Sequence, residues 1–221
     1  MGLIPHGKKN TPAKKTGFQY STEWDKKNQK KGHRFRVVFN SPVTLTFVGV
    51  CLLAFGLNYI THGWTNQHVF STYDSSWLSP MTYVRLVCYP FGHASIQHLT
   101  GNLTFILLLG PILEEKYGHG LFSAIIAVTV VTTGVLNNVF FPNTALLGAS
   151  GVVFAFILLS SIVSVHDGEI PITMLLIGII YIGGEVMNAM QGNDNVSQFA
   201  HIMGGLIGTG CGMAFGRDHR N

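Results

Sequence analysis

The sequence is poor in charge, since only 11% of its 221 residues are Asp, Glu, Lys or Arg and 47% are hydrophobic. Soluble domains carry about 25% charged residues, so this composition excludes an ordinary soluble protein and predicts a membrane protein. Cysteine is scarce too: the three present match neither a disulfide framework nor a metal site. Cys51 and Cys211 lie in apolar runs, where small buried hydrophobic residues are expected.

The charge that is present is concentrated at one end of the chain. Ten of the fourteen Lys and Arg residues precede Val43, in a polar stretch without the apolar residues of a core. Residues 1–42 are therefore predicted to form a basic, disordered tail. The tail has no run resembling the hydrophobic part of a signal peptide, so no cleaved export signal is expected. Beside a membrane span, such a tail favours anionic lipid as its partner, and no nucleic acid is expected.

Six apolar segments approach the roughly 20 residues that cross about 30 Å of hydrocarbon. They are Val43–Thr61, Ile96–Leu113, Leu121–Phe141, Ser150–Val165, Ile170–Val186 and Phe199–Phe215. These segments predict an all-α, polytopic membrane protein with a six-transmembrane-helix bundle over residues 43–216 and a short tail over residues 217–221. Within the second segment, Gly110-Pro111 is expected to kink the helix.

The orientation follows from the Lys and Arg residues near the ends of the spans. With the N-terminus inside, thirteen of them lie on the inner side, and Arg85 alone lies on the outer side. Both termini are therefore expected in the cytoplasm of a multi-pass protein of the cell membrane. Under this topology the second, fourth and sixth helices all begin on the outer side.

Polar residues cluster at those three outer beginnings. His98 and Asn102 open the second helix, Ser150 opens the fourth, and His201 opens the sixth. Polar side chains in hydrocarbon are costly and usually mark function or mutual pairing. Three segments far apart in sequence thus bring polar groups to one depth in the membrane.

Ser150 alone has a plain alternative interpretation, as a small residue at a helix interface. His201 lies on the face of a glycine stripe whose spacing indicates close helix packing: Gly204, Gly205, Gly208 and Gly212. Gly151 and Ala155 give the fourth helix a small face of its own. Packing of these two faces would bring Ser150 and His201 within hydrogen-bond reach.

His98 and Asn102 are four residues apart and share a helical face. They could donate hydrogen bonds to a developing oxyanion, or equally satisfy each other or a loop carbonyl. A metal site at His93, His98 and His201 is the third possibility. It lacks both the HExxH pairing of zinc peptidases and an acidic residue near His98, so no metal is expected.

Three motifs together, "HLTGN" (His98–Asn102), "GASG" (Gly148–Gly151) and "AHIMGGLIG" (Ala200–Gly208), resemble the rhomboid intramembrane serine proteases. The resemblance covers roughly Tyr83 to Gly216. It implies a rhomboid-type serine endopeptidase that needs no cofactor, with Ser150 as nucleophile and His201 as general base. It also implies an oxyanion hole formed by the Ser150 N–H with the side chains of His98 and Asn102. The glycines of the motifs, Gly148, Gly151, Gly204 and Gly208, would support the site, the first two by clearing space for the substrate backbone.

By the same resemblance the substrates are single-span membrane proteins cut near their outer boundary. The alternative is a catalytically inactive rhomboid-like protein that binds or escorts membrane clients, although such relatives typically lose the Ser or the His. A small transporter would require charges at the midplane or inverted repeats, and the sequence has neither. One departure concerns the outer loop, where this family often has Trp before Arg and this chain has Val84 before Arg85.

Overall fold

The computed structural model describes residues 40–163, 172, 176, 179–180, 183, 202–208, 210–211 and 214. Within these ranges the chain is largely helical and contains no β-strand. The helices are α1 (Pro42–Ile60), α2 (Trp64–His68), α3 (Pro80–Cys88), a 3-10 helix (Tyr89–Phe91), α4 (Ile96–Phe140) and α5 (Ser150–Val163). Residues 202–208 are helical as well. Residues 1–39 of the predicted N-terminal tail, the predicted tail at residues 217–221 and most of the predicted span Ile170–Val186 lie outside the described residues. Pro42, the last residue of the predicted N-terminal tail, already belongs to α1.

Two of the described helices, α1 and α4, are long and apolar enough to cross a membrane. The 19 residues of α1 extend about 28 Å, close to the thickness of the hydrocarbon core. The 45 residues of α4 would extend about 68 Å, enough for two passages. Its backbone leaves helical geometry at Gly118, whose φ of 73° and ψ of 158° suit glycine. We therefore distinguish a first limb (residues 96–117) from a second limb (residues 119–140).

The expected kink at Gly110-Pro111 is not where the backbone breaks. Pro111 lies inside α4, and Gly118 is the one residue of this helix with non-helical angles. Gly110 instead allows α1 to approach, because a Cβ there would lie 2.7 Å from the Cγ2 of Thr44.

The start of α1 is capped by a carboxylate from α4. Glu114 accepts hydrogen bonds from the backbone N–H groups of Val43 and Thr44, both at 2.9 Å, and from the Thr44 hydroxyl at 2.7 Å. The first N–H groups of a helix have no partner within it, so a buried carboxylate is a favourable cap. The Nδ1 of His119, just after Gly118, lies 2.7 Å from Oε1 of Glu114, the same oxygen that accepts from the Val43 N–H. These bonds fix the start of α1 against α4.

The helix that carries the predicted nucleophile lies inside the bundle. Nearly every side chain in the first ten residues of α5 is buried, whichever side of the helix it occupies. A helix that is apolar all round is surrounded by other elements. Ser150 therefore stands at the start of a buried helix. This helix begins at the residue where the fourth predicted span begins.

Candidate active site

The loop before Ser150 is fixed by backbone hydrogen bonds to the first loop, residues 61–95. Leu146 and Thr72 form an antiparallel bridge with N···O distances of 2.8 and 2.9 Å, and the N–H of Gly148 donates to the carbonyl of Tyr89 at 3.0 Å. Ser150 is largely buried, with 8% of its surface exposed. The serine thus stands where a clamped loop enters a central helix.

Gly148 brings this loop against two side chains of α4. Its φ of 110° is rare for L residues, and a Cβ there would lie 2.6 Å from Cε1 and 2.7 Å from Nε2 of His98. The same Cβ would lie 3.8 Å from Nδ2 of Asn102. The structure therefore brings His98 and Asn102 together with the backbone that immediately precedes Ser150.

His98 and Asn102 share one face of α4, as their spacing of four residues predicted, and this face is turned toward Gly148. Asn102 is buried, and its Nδ2 has no hydrogen-bond partner among the described residues. His98 is half-buried, and its backbone N–H donates to the Ser95 hydroxyl at 3.1 Å, which caps the start of α4. A capped helix start thus positions an imidazole and a carboxamide beside the serine loop.

His93 lies directly behind His98, and the sequence suggested it only as a metal ligand. It is fully buried, with its ring edge-on to that of His98 at a centroid distance of 5.0 Å. Its Nδ1 lies 3.1 Å from the Phe91 carbonyl, and its own carbonyl accepts a hydrogen bond from Asn66 at 2.9 Å. Burial, followed by the nearby His98, lowers the pKa of His93 to about 4, against a weaker opposing effect of the Phe91 carbonyl. His93 is therefore a neutral imidazole that packs against His98.

The helix at residues 202–208 packs on α5 through its glycines, as the stripe predicted. A Cβ at Gly204 would collide with the Gly151 carbonyl, and one at Gly208 would lie 2.6 Å from the Cβ of Ala155. The intervening Gly205 faces Phe154. Small residues on both helices thus permit backbone contact. His201 lies outside the described residues, so its reach to Ser150 stays a prediction.

The two glycines that flank Ala149-Ser150 both lie against other groups of the protein. The space beside Gly148 is occupied by the His98 imidazole, and the Gly151 backbone touches Gly204. Their small size therefore lets protein groups approach the serine. The interpretation that they also clear space for a substrate backbone stays a prediction.

Arg85 holds the first loop, although Val84 precedes it at the position where the resemblance implies a tryptophan. The Arg85 Nε donates to the carbonyl of His68 at 3.0 Å, and its guanidinium lies 4.4 Å from the centre of the Tyr73 ring. Val84 is half-exposed on α3. Tyr73 thus supplies an aromatic partner for this arginine.

A buried polar face of the second limb was not anticipated from the sequence. Asn137 is fully buried and neither amide atom has a hydrogen-bond partner in the described part of the chain. The buried hydroxyl of Thr129, eight residues earlier on the same face, also has no hydrogen-bond partner among the described residues. The neighbouring Asn138 instead pairs with Thr72, at 2.9 Å, and so joins α4 to the first loop.

The described part of the chain is largely helical, with two helices long and apolar enough to cross a membrane, and comparison with known proteins supplies the family. A family model described as the rhomboid domain matches residues 80–218, well over half of the chain. The chain belongs to the rhomboid family, as its three motifs indicated.

Curated relatives are similar over part of their length. The chain is 30% identical over 194 residues to "Rhomboid-related protein 2" of Mus musculus, which covers 77% of this chain and 63% of the relative. It is 31% identical over 133 residues to "Rhomboid-related protein 1" of Caenorhabditis elegans, or 56% of this chain and 37% of the relative. A third is "Rhomboid-like protein 11, chloroplastic" of Arabidopsis thaliana, 30% identical over 53% of this chain and 47% of the relative. The matches thus span less than two thirds of each relative.

Proposed function

We propose that this protein is an intramembrane serine protease that hydrolyses peptide bonds in or near the transmembrane segments of single-span membrane proteins. The observation that carries the proposal is the close approach of the Gly148 backbone, two residues before Ser150, to the His98 imidazole, with the Asn102 carboxamide nearby. Serine proteases need hydrogen-bond donors beside the nucleophile, and this contact brings two such side chains to the start of α5.

Ser150 is the nucleophile and His201 its general base. A serine hydroxyl is weak as a nucleophile until a base takes its proton, so the pair must be within hydrogen-bond reach. The backbone contact between Gly151 and Gly204 supports this, because it lies one residue from Ser150 and three residues from His201. After attack the histidinium returns the proton to the leaving amine, and water then hydrolyses the acyl-enzyme.

The oxyanion is stabilised by the Ser150 N–H and by the side chains of His98 and Asn102. Residues in the first turn of a helix direct their N–H groups toward its open end, where negative charge is favoured. His98 is held by the cap of Ser95 and by the neutral ring of His93, which supports a fixed donor. Preorganised donors of this kind need no rearrangement as the charge develops.

Hydrolysis within a membrane also needs water at the serine. Polar groups buried without protein partners are usually hydrated, and the Nδ2 of Asn102, near Gly148, is such a group within the described chain. It supports the presence of water beside the serine loop.

The topology completes the proposal: a basic cytoplasmic tail at residues 1–42, six spans over residues 43–216 in the cell membrane, and a cytoplasmic tail at residues 217–221. The active site then faces the outer side. Cysteines placed at Thr144 and Asn195 in a cysteine-free background should react with an impermeant thiol reagent added outside intact cells. Reaction from the cytoplasmic side alone would reverse this topology.

Cleavage is tested with purified protein and a generic single-span substrate in liposomes. The native protein should cut the substrate, and Ser150→Ala should not. Ser161→Ala is the matched control, because its hydroxyl on the same helix is bonded to the Ile157 carbonyl at 2.9 Å. A native protein that binds the substrate and never cuts it would favour the alternative, an inactive relative that escorts membrane clients.

A further inference from the structure

Two residues of the first loop, Thr72 and Tyr89, each contact both the second limb of α4 and the loop that leads to Ser150. We call the latter, residues 141–149, the serine loop. In each case the side chain is bonded to the second limb and the backbone is bonded to the serine loop. Neither residue is one of the catalytic groups proposed above.

The side chain of Tyr89 is buried against the middle of the second limb. Its hydroxyl donates to the Val130 carbonyl at 3.0 Å. Its ring lies against Gly134, where a Cβ would be 3.0 Å from Cε1 of the tyrosine. The backbone carbonyl of Tyr89 accepts the N–H of Gly148 at 3.0 Å. Tyr89 thus joins one turn of the second limb to the glycine that lies against the His98 imidazole.

Thr72 makes the same kind of connection at a second point of the serine loop. Its hydroxyl lies 2.9 Å from Nδ2 and 3.2 Å from Oδ1 of Asn138 on the second limb. Its backbone N–H and carbonyl are both bonded to Leu146, two residues before Gly148. Thr72 and Asn138 are buried, so water does not compete for the bonds between them.

These two connections determine where the serine loop lies. Within the described chain, Thr72 and Tyr89 are the only hydrogen-bond partners that the backbone of residues 142–148 has outside its own loop. The proposed oxyanion hole has donors on separate elements, since the Ser150 N–H is at the start of α5 and His98 is on the first limb of α4. A shift of the serine loop would therefore change the distance between these donors.

We propose that Thr72 and Tyr89 are positioning residues, which hold the serine loop at the distance from His98 that catalysis requires. The kinetic consequence rests on the proposed function, whereas the hold on the loop does not. A displacement of about 1 Å in a catalytic group can cost about 100-fold in rate. Donors to an oxyanion act in the transition state, so their displacement lowers kcat and leaves KM unchanged.

Amide hydrogen exchange of the full-length protein in detergent tests the hold on the loop without any reference to activity. Tyr89→Phe removes the hydroxyl and keeps the ring. It should speed exchange in the peptide that covers residues 144–149 by about tenfold, which is the change expected from one lost buried hydrogen bond. Tyr83→Phe is the matched control, because the Tyr83 hydroxyl donates to the Trp77 carbonyl at 2.9 Å on the exposed side of the same loop. It should leave the exchange of this peptide unchanged.

A second pair of variants tests the other connection and guards against a folding defect in Tyr89→Phe. Thr72→Val keeps the shape of the side chain and removes its hydroxyl, so it should also speed exchange of residues 144–149 by about tenfold. Thr72→Ser keeps the hydroxyl and should restore native exchange. Native exchange in both Tyr89→Phe and Thr72→Val would overturn the proposal, and so would equal acceleration in Thr72→Val and Thr72→Ser.

Cleavage kinetics in liposomes test the consequence for catalysis, with rates expressed per folded site as counted by complete fluorophosphonate labelling. In Tyr89→Phe and in Thr72→Val, kcat should fall by about 10- to 100-fold while KM stays within about twofold of the native value. Tyr83→Phe and Thr72→Ser should keep both constants. Native kcat per folded site in the two variants whose loop exchanges faster would overturn the positioning role. A native protein that never cleaves would refute the proposed function instead, and the exchange measurements would still decide whether the two residues hold the loop.

Discussion

Replacing Gly148 with alanine should disable the site while leaving both proposed catalytic side chains in the chain. The positive φ alone costs an L residue about 1–3 kcal/mol. The new Cβ would also lie 2.6 Å from Cε1 of His98, so the loop or the imidazole must move. If this displaces one oxyanion donor, turnover should fall by about 100- to 1000-fold.

The assay compares the rate of substrate cleavage in liposomes and the unfolding temperature in detergent for Gly148→Ala and Gly101→Ala. Gly101 is helical, one residue from Asn102, and a Cβ there would meet no atom within 4 Å. Gly101→Ala should keep native turnover and gain about 0.5–1 kcal/mol of stability from the better helix propensity. Native turnover in Gly148→Ala would refute the proposed dependence of catalysis on the contact between this loop and His98.

Three further outcomes are expected. His98→Ala and Asn102→Ala should each lower turnover by about 100- to 1000-fold, and full activity of both variants in a liposome assay would remove the proposed oxyanion hole. Gly204→Ala should lower the unfolding free energy by about 1–3 kcal/mol through collision with α5, whereas Gly210→Ala, with open space around its Cβ, should not; thermal unfolding in detergent compares them. Because the folded-state pKa of His93 is about 4 against 6.5 for a free histidine, the unfolded state takes up a proton first, and about 3 kcal/mol of stability should be lost as the pH falls from 6.5 to 4. The variant His93→Gln should not show this loss of stability between pH 6.5 and 4. If the unfolding free energies of the two proteins depended on pH in the same way, His93 would not be a buried neutral imidazole.

The sequence was sufficient where local pattern decides the structure. The apolar run after Pro42 and the small-residue step at Ser150 predicted the starts of α1 and α5 to within a residue. The glycine stripe predicted the contact with Gly151 and Ala155, because only small residues allow helix backbones to touch.

Other features depend on tertiary neighbours and were not predicted. Proline disrupts a helix more strongly than glycine does, yet α4 leaves helical geometry at Gly118 and not at Pro111. Glycine adopts the positive φ found there at little cost, because it has no Cβ. Glu114 caps a helix 70 residues away in sequence, and His93 acquires its low pKa only when it is buried against His98. Glu114 could have been recognised from its position directly after an apolar run, because a carboxylate at such a position usually has a partner.

The central claim, a serine activated by a histidine inside the membrane domain, is tested most directly by covalent labelling with a fluorophosphonate. Reaction requires a base beside the serine, so labelling reports the Ser150–His201 pair itself. The native protein should be labelled at Ser150, Ser150→Ala should lose both labelling and cleavage, and His201→Ala should lose cleavage and nearly all labelling. Each single loss should equal the double loss, because the two residues act as one unit. Cleavage of a single-span substrate by Ser150→Ala, or a folded native protein that is never labelled, would contradict the claim.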